Sequence, residues 1–335
     1  MREDLFAHGW ARLDRAAEIA GQMVEIWNDY ISEHPYDFSL VGEGNGVYVL
    51  RVYEQAPVPQ EFAVATGEWI NHLRSALDYT IWATAAHVSS RIPPPNQGQV
   101  QYPIYDSREA WERALPRLKS LAEHHRQMLF TVQPFNSDSD ANYLGWINRI
   151  ARSDRHRHLS RMTGYIAELD PVLALPKGYE ATMQLGERAI VDGHADVVRF
   201  VITPWQEGLR VEANPRLGID PDIEEWTASP FWRRFPFPER LRLLEIFVGA
   251  EIAAYEYDCT GRSRKSDALT ETYKAECDAR RRPANRGPAR ERREVLWSEP
   301  LPRRSGTADE LASEDFPPHG PGEVPINRSG DPSGG

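Results

Sequence analysis

Residues 60 to 88 most narrow what this chain can fold into. Ile70, Leu73, Leu77 and Ile81 recur at helical spacing, and Trp69 and Trp82 broaden the apolar face until little polar surface is left. A helix apolar on most sides must be enclosed by other elements. Asn71, Arg74 and Asp78 follow one another at steps of three and four, so they make one polar stripe along it. Buried polar groups need partners, so a second polar segment has to meet this stripe.

The upstream chain supplies a first layer. Over residues 5 to 33, Leu13, Ala16, Ala20, Val24, Trp27 and Ile31 share one helix face, and His34-Pro35 ends the helix. A hairpin follows, with strands flanking Asn45-Gly46, whose residues tolerate the positive φ of a tight turn. Pro57 and Pro59 stop its second strand.

After a Pro-rich loop and the extended piece Tyr102-Pro103-Ile104, Asp106-Ser107 marks a helix start. Pro116 separates that helix from another running to about Val132, which places His124 and His125 on a solvated face. Asp138 or Ser139 is expected to cap the helix that ends in Asn148–His158, the densest run of guanidinium and imidazole groups in the chain. Leu144, Ile147 and Ala151 set its inward face, and the same spacing carries Asp154 and His158 inward. Asp154 is then the expected partner of Arg74.

From about residue 165 the pattern shortens to strands at 179–185, 189–191, 197–202 and 209–213, with Asp192-Gly193 and Glu207-Gly208 in turn positions. Pro236 and Pro238 precede a closing helix with Leu241, Leu244, Val248 and Tyr255 on one side. Beyond residue 262 an arginine block gives way to acidic and then Pro/Gly/Ser-rich sequence, which predicts a largely disordered tail over 261–335. The expected fold is α+β. It comprises a bundle of long helices (1–162) with a β-hairpin, an antiparallel strand-rich segment (165–235) and a closing helix (238–258), all in one unit over 1–260.

A net charge of −11 argues against a general nucleic-acid coat protein. Cys259 and Cys277 are the only cysteines, which excludes a disulfide framework, and no metal site or cofactor is expected. No signal peptide or membrane-spanning run is read, so the expected location is the cytoplasm. The tryptophans are assigned to the core and not to a base-stacking platform.

The run Gly67-Glu68-Trp69-Ile70-Asn71-His72-Leu73-Arg74-Ser75-Ala76-Leu77-Asp78, then Gln133-Pro134-Phe135, then Asp154-Arg155-His156-Arg157 resembles an uncharacterised bacterial and phage family. That family has a Leu-Arg-Ser-Ala-Leu-Asp helix, a Gln-Pro-aromatic segment and an Asp-Lys-His-Arg tetrad; arginine here replaces the lysine. The resemblance covers roughly residues 60–160 and implies no particular activity. A looser similarity is to HEPN domains, helical dimers that often cleave RNA without metal. Arg152 and His158 match the spacing of their motif, though Ser153 stands where Asn, Asp or His is usual.

Two functional readings follow. The first is a buried polar network of Asn71, Arg74, Asp78, Asp154, Arg155 and Arg157, structural or binding a ligand or partner of unspecified kind. The second is a metal-independent ribonuclease, which implies RNA as substrate and a homodimer. In it His158 or His156 exchanges protons, Arg152 and Arg155 hold the phosphate, and Asp154 orients a histidine.

Overall fold

The computed structural model describes residues 4–156, 161–223, 226, 229 and 231–262; within them, the side chains of Arg155, His156 and Arg233 are excluded. Residues 263–335 of the expected tail, with its arginine block, lie outside the described residues. The fold is α+β, as the pattern predicts.

Helix α1 (Ala7–Ser32) and helix α2 (Gln60–Ser89) are joined by the hairpin of β1 (Tyr36–Gly44) and β2 (Val47–Glu54). The helices run antiparallel: Gly9 lies against Thr80 and Ala76, Arg12 against His72, and Trp27 against Phe62. Leu13, Ala16, Trp27 and Ile31 of α1 are buried, as their spacing requires. The closing helix, α6 (Phe237–Thr260), covers another side of α2, with Phe237 on Phe62 and the Trp69 indole donating to Glu245 at 2.9 Å. The Trp10 indole of α1 donates to Glu256 of α6 at 2.8 Å.

Helix α2 is therefore the axis of the body. Its buried threonines satisfy themselves locally: Thr66, Thr80 and Thr84 each donate to the carbonyl four residues back at 2.8 Å. Short helices α3 (Arg108–Ala114) and α4 (Glu123–Thr131) follow, and then α5 (Tyr143–His156). Ser107 caps α3, accepting from the Ala110 amide at 3.3 Å. Helix α5 is capped not by Asp138 or Ser139 but by Asn142, whose side-chain oxygen accepts from the Gly145 amide at 2.8 Å. The register differs because Asp138 instead accepts from the Asp140 amide in the preceding turn.

The strands join the two ends of the chain. Strand β2 pairs with β6 (His194–Thr203), and β6 with β5 (Glu180–Leu185), giving a four-stranded antiparallel sheet in the order β1-β2-β6-β5. The hairpin is thus the edge of a larger sheet. Its turn has positive φ at Asn45 and Gly46, and a Cβ at Gly46 would fall 2.7 Å from the Ile202 carbonyl. Two further pairs form, β3 (Met162–Leu169) with β8 (Leu217–Ile223) and β4 (Val172–Ala174) with β7 (Glu212–Asn214).

Two strand expectations need correction. Residues 189–191 form only isolated bridges, to Tyr165 and His194, and the 209–213 strand is shifted to Glu212–Asn214. Strand β8 escapes sequence reading because Pro221 and two aspartates interrupt its apolar pattern, yet it is buried throughout. Its Asp222 is ion-paired with the buried Arg240 of α6. The guanidinium also donates to the Phe235 carbonyl at 2.8 Å and lies over the Trp226 ring.

Asp222→Ala removes one half of a buried ion pair. It should lower stability by about 3–5 kcal/mol in urea denaturation, because Arg240 is left charged in a dry site; a loss under 1 kcal/mol would contradict this account.

Candidate functional site

The polar stripe of α2 divides between two tasks. Arg74, buried, donates to the Tyr102 carbonyl at 2.7 Å, and Asp78 accepts from the Tyr102 amide at 2.8 Å. The two side chains lie 3.2 Å apart as an ion pair. They grip both polar groups of one backbone unit in the extended segment after the Pro-rich loop. Gln133, also buried, grips the same segment further on: it donates to the Pro103 carbonyl and accepts from the Tyr105 amide, each at 2.9 Å. The Tyr102 hydroxyl donates to Glu251 of α6 at 2.6 Å, and burial raises the Glu251 carboxyl above its usual pKa.

Asn71, one turn earlier, faces elsewhere. Its side-chain nitrogen donates to the Asp154 carboxylate at 2.6 Å. The expected Arg74–Asp154 pair is therefore replaced by Arg74–Asp78 and Asn71–Asp154, because Asp154 meets α2 at Gly67. A Cβ at Gly67 would lie 2.8 Å from the Asp154 Cγ and closer still to its oxygen. Glycine inside a helix costs about 1 kcal/mol relative to alanine; here it makes room for a carboxylate from α5.

Asp154 is half-buried at the end of an open groove of about 520 Å³ between α1, α2 and α5. Arg12 and Arg15 of α1 line one wall; Glu68, Asn71, His72 and Ser75 of α2 line the floor. Arg12 lies 3.5 Å from His72 Nδ1. Burial first, then the Arg12 and Arg15 charges, lowers the His72 pKa, so the ring is neutral at pH 7 and can accept from Arg12. Arg15 is held at 2.9 Å by Glu18.

Of the candidate residues, Asn71 and Asp154 reach the groove, whereas Arg74 and Asp78 belong to the backbone clamp. Arg152 is exposed on α5 and does not line the groove. The side chains of Arg155 and His156, and Arg157 and His158 altogether, lie outside the described residues. Arg12, Arg15, Glu68, His72 and Ser75 line the groove beyond the residues expected from the sequence. Their signal was present: Glu68, His72 and Ser75 form a second stripe at steps of four and three, and Arg12 and Arg15 are one turn apart.

His124 and His125 also need correction. His124 is exposed, but His125 is buried against α6, with its ring 5.9 Å from Tyr255. No helix among the described residues is long and apolar enough to cross a membrane.

Two outcomes are expected. Gly67→Ala should destabilise the protein by about 1–2 kcal/mol through overpacking, and the loss should shrink in an Asp154→Ala background, as a double-mutant cycle in urea would show. In an NMR titration His72 should protonate below the ordinary histidine range, and Arg12→Gln should move its pKa upward; an unchanged value would remove Arg12 as a cause. The chain matches no protein-family model, no curated protein and no solved structure, so any function rests on the geometry of these residues.

Proposed function

We propose that the protein binds a small organic anion in the α1–α2–α5 groove, of the size and chemistry of a nucleoside monophosphate. The observation that carries this reading is that two guanidinium groups, Arg12 and Arg15 of α1, and the Asp154 carboxylate of α5 line one open groove, whose floor adds Asn71 and Glu68. The volume of about 520 Å³ falls in the range of small-ligand sites. A phosphate or carboxylate is received by the guanidinium groups in charge-assisted hydrogen bonds. An amino or hydroxyl group at the ligand's other end donates to Asp154. The His72 ring adds a floor group that can accept or donate a hydrogen bond.

A second reading, metal-independent cleavage of RNA, is favoured by one observation: Arg152, the arginine of the Arg/His spacing, stands exposed on α5. It predicts RNA cleavage in the presence of EDTA that is abolished by His158→Ala at unchanged melting temperature. Absence of cleavage would end it.

The binding reading is tested by calorimetry and thermal shift with AMP, CMP and inorganic phosphate. At least one nucleotide should raise the melting temperature. Arg12→Gln with Arg15→Gln should weaken its binding at least tenfold, about 1.4 kcal/mol or more. Failure of all three probes to bind, or binding indifferent to the arginines, would overturn the reading.

A further inference from the structure

On the opposite end of α2 from the groove floor, His124 and His125, in the first turn of α4, converge on Asp258 in the last turn of α6. His124 Nε2 lies 2.8 Å and His125 Nε2 2.7 Å from the same carboxylate oxygen, Oδ2. The two imidazole rings are crowded to a centroid separation of 4.0 Å to achieve this. The three donor atoms lie within 4.8 Å of one another. On His125 the other ring nitrogen, Nδ1, is buried without a hydrogen-bond partner, so Nε2 is the engaged atom. A fourth group, the Cys259 thiol, stands 4.0 Å from His125 Nε2.

We propose that His124, His125 and Asp258 form a binding site for a divalent transition-metal ion, zinc by preference. Donors about 2.0 Å from a tetrahedral ion stand about 3.3 Å apart. The two histidine–carboxylate spacings therefore have to open by only about half an ångström for the ion to replace the shared hydrogen bonds, while the two imidazole nitrogens already lie within 4.8 Å of each other. Two imidazoles with one carboxylate, and a thiol beside them, form a set that suits zinc, cobalt or nickel rather than magnesium or calcium, which take oxygen cages. His124 is 58% and Asp258 37% exposed at the side chain while His125 is 2%, so one ligand is fixed by packing and the other two face the entry path. The site escapes sequence reading because its carboxylate lies 133 residues beyond the nearer of the two adjacent histidines. It shares no residue with the α1–α2–α5 groove, so either proposal can fail without the other.

The test is zinc titration of the EDTA-treated, dialysed full chain, followed by calorimetry and thermal melting. About one equivalent should bind at the site and raise the melting temperature, with magnesium and calcium giving no such shift. His124→Ala and Asp258→Asn, both at accessible positions, should stay folded by circular dichroism, weaken zinc binding at least tenfold and lose the thermal shift. The buried His125 is left in place because its removal could unfold the chain. No zinc uptake by the folded wild type, or uptake unchanged in both variants, would overturn the proposal.

Discussion

The grip of Arg74 and Asp78 on the Tyr102 backbone is the constraint on which the centre of the molecule depends. An extended segment between helices has no ladder to satisfy its amide and carbonyl, and burying it unpaired costs several kcal/mol. Here one arginine and one aspartate, a single turn apart on α2, supply the acceptor and the donor together. Their own ion pair compensates both charges, the buried guanidinium and the half-buried carboxylate. Gln133 repeats the device with a neutral amide at the end of α4. Helices α3 and α4, which follow α2 in the chain, are thereby tied to it through a few backbone groups of the extended segment.

This division of labour changes how the Leu-Arg-Ser-Ala-Leu-Asp run is understood. Its arginine and aspartate look like catalytic equipment in isolation, yet both are accounted for by the need to bury peptide groups. Asn71, which differs from them only by one turn, turns instead to Asp154 and opens onto solvent. A rotation of roughly 60° about the helix axis over three residues, the remainder left by a 3.6-residue turn, is enough to separate a packing role from an accessible one.

Much of the fold was legible because it rests on local periodicity. The burial of Leu13, Ala16, Trp27 and Ile31, the Asn45-Gly46 turn and the closing helix all follow from spacing within a few residues. What was not legible depends on distant chain. Strand β8 is stabilised by pairing with β3 and by Arg240 neutralising Asp222, so its polar residues disguise it. The partner of Arg74 is not legible because the sequence shows that a buried cation needs partners, not which ones reach it. The close approach at Gly67, where Asp154 takes the space of a side chain, could be read from neither segment alone.

The sheet has a consequence for synthesis on the ribosome. Val47 of β2 pairs with Val201 of β6, and Tyr53 with His194. At translation speeds of about 5–20 residues per second, the outer edge of the hairpin emerges roughly 7–30 s before the strand that covers it. During that interval β2 offers an open ladder to any extended neighbour, including another nascent copy. Long-range pairing of this kind also slows closure of the finished chain. The molecule's vulnerable moment is therefore early, in the N-terminal half, well before the last helix is made.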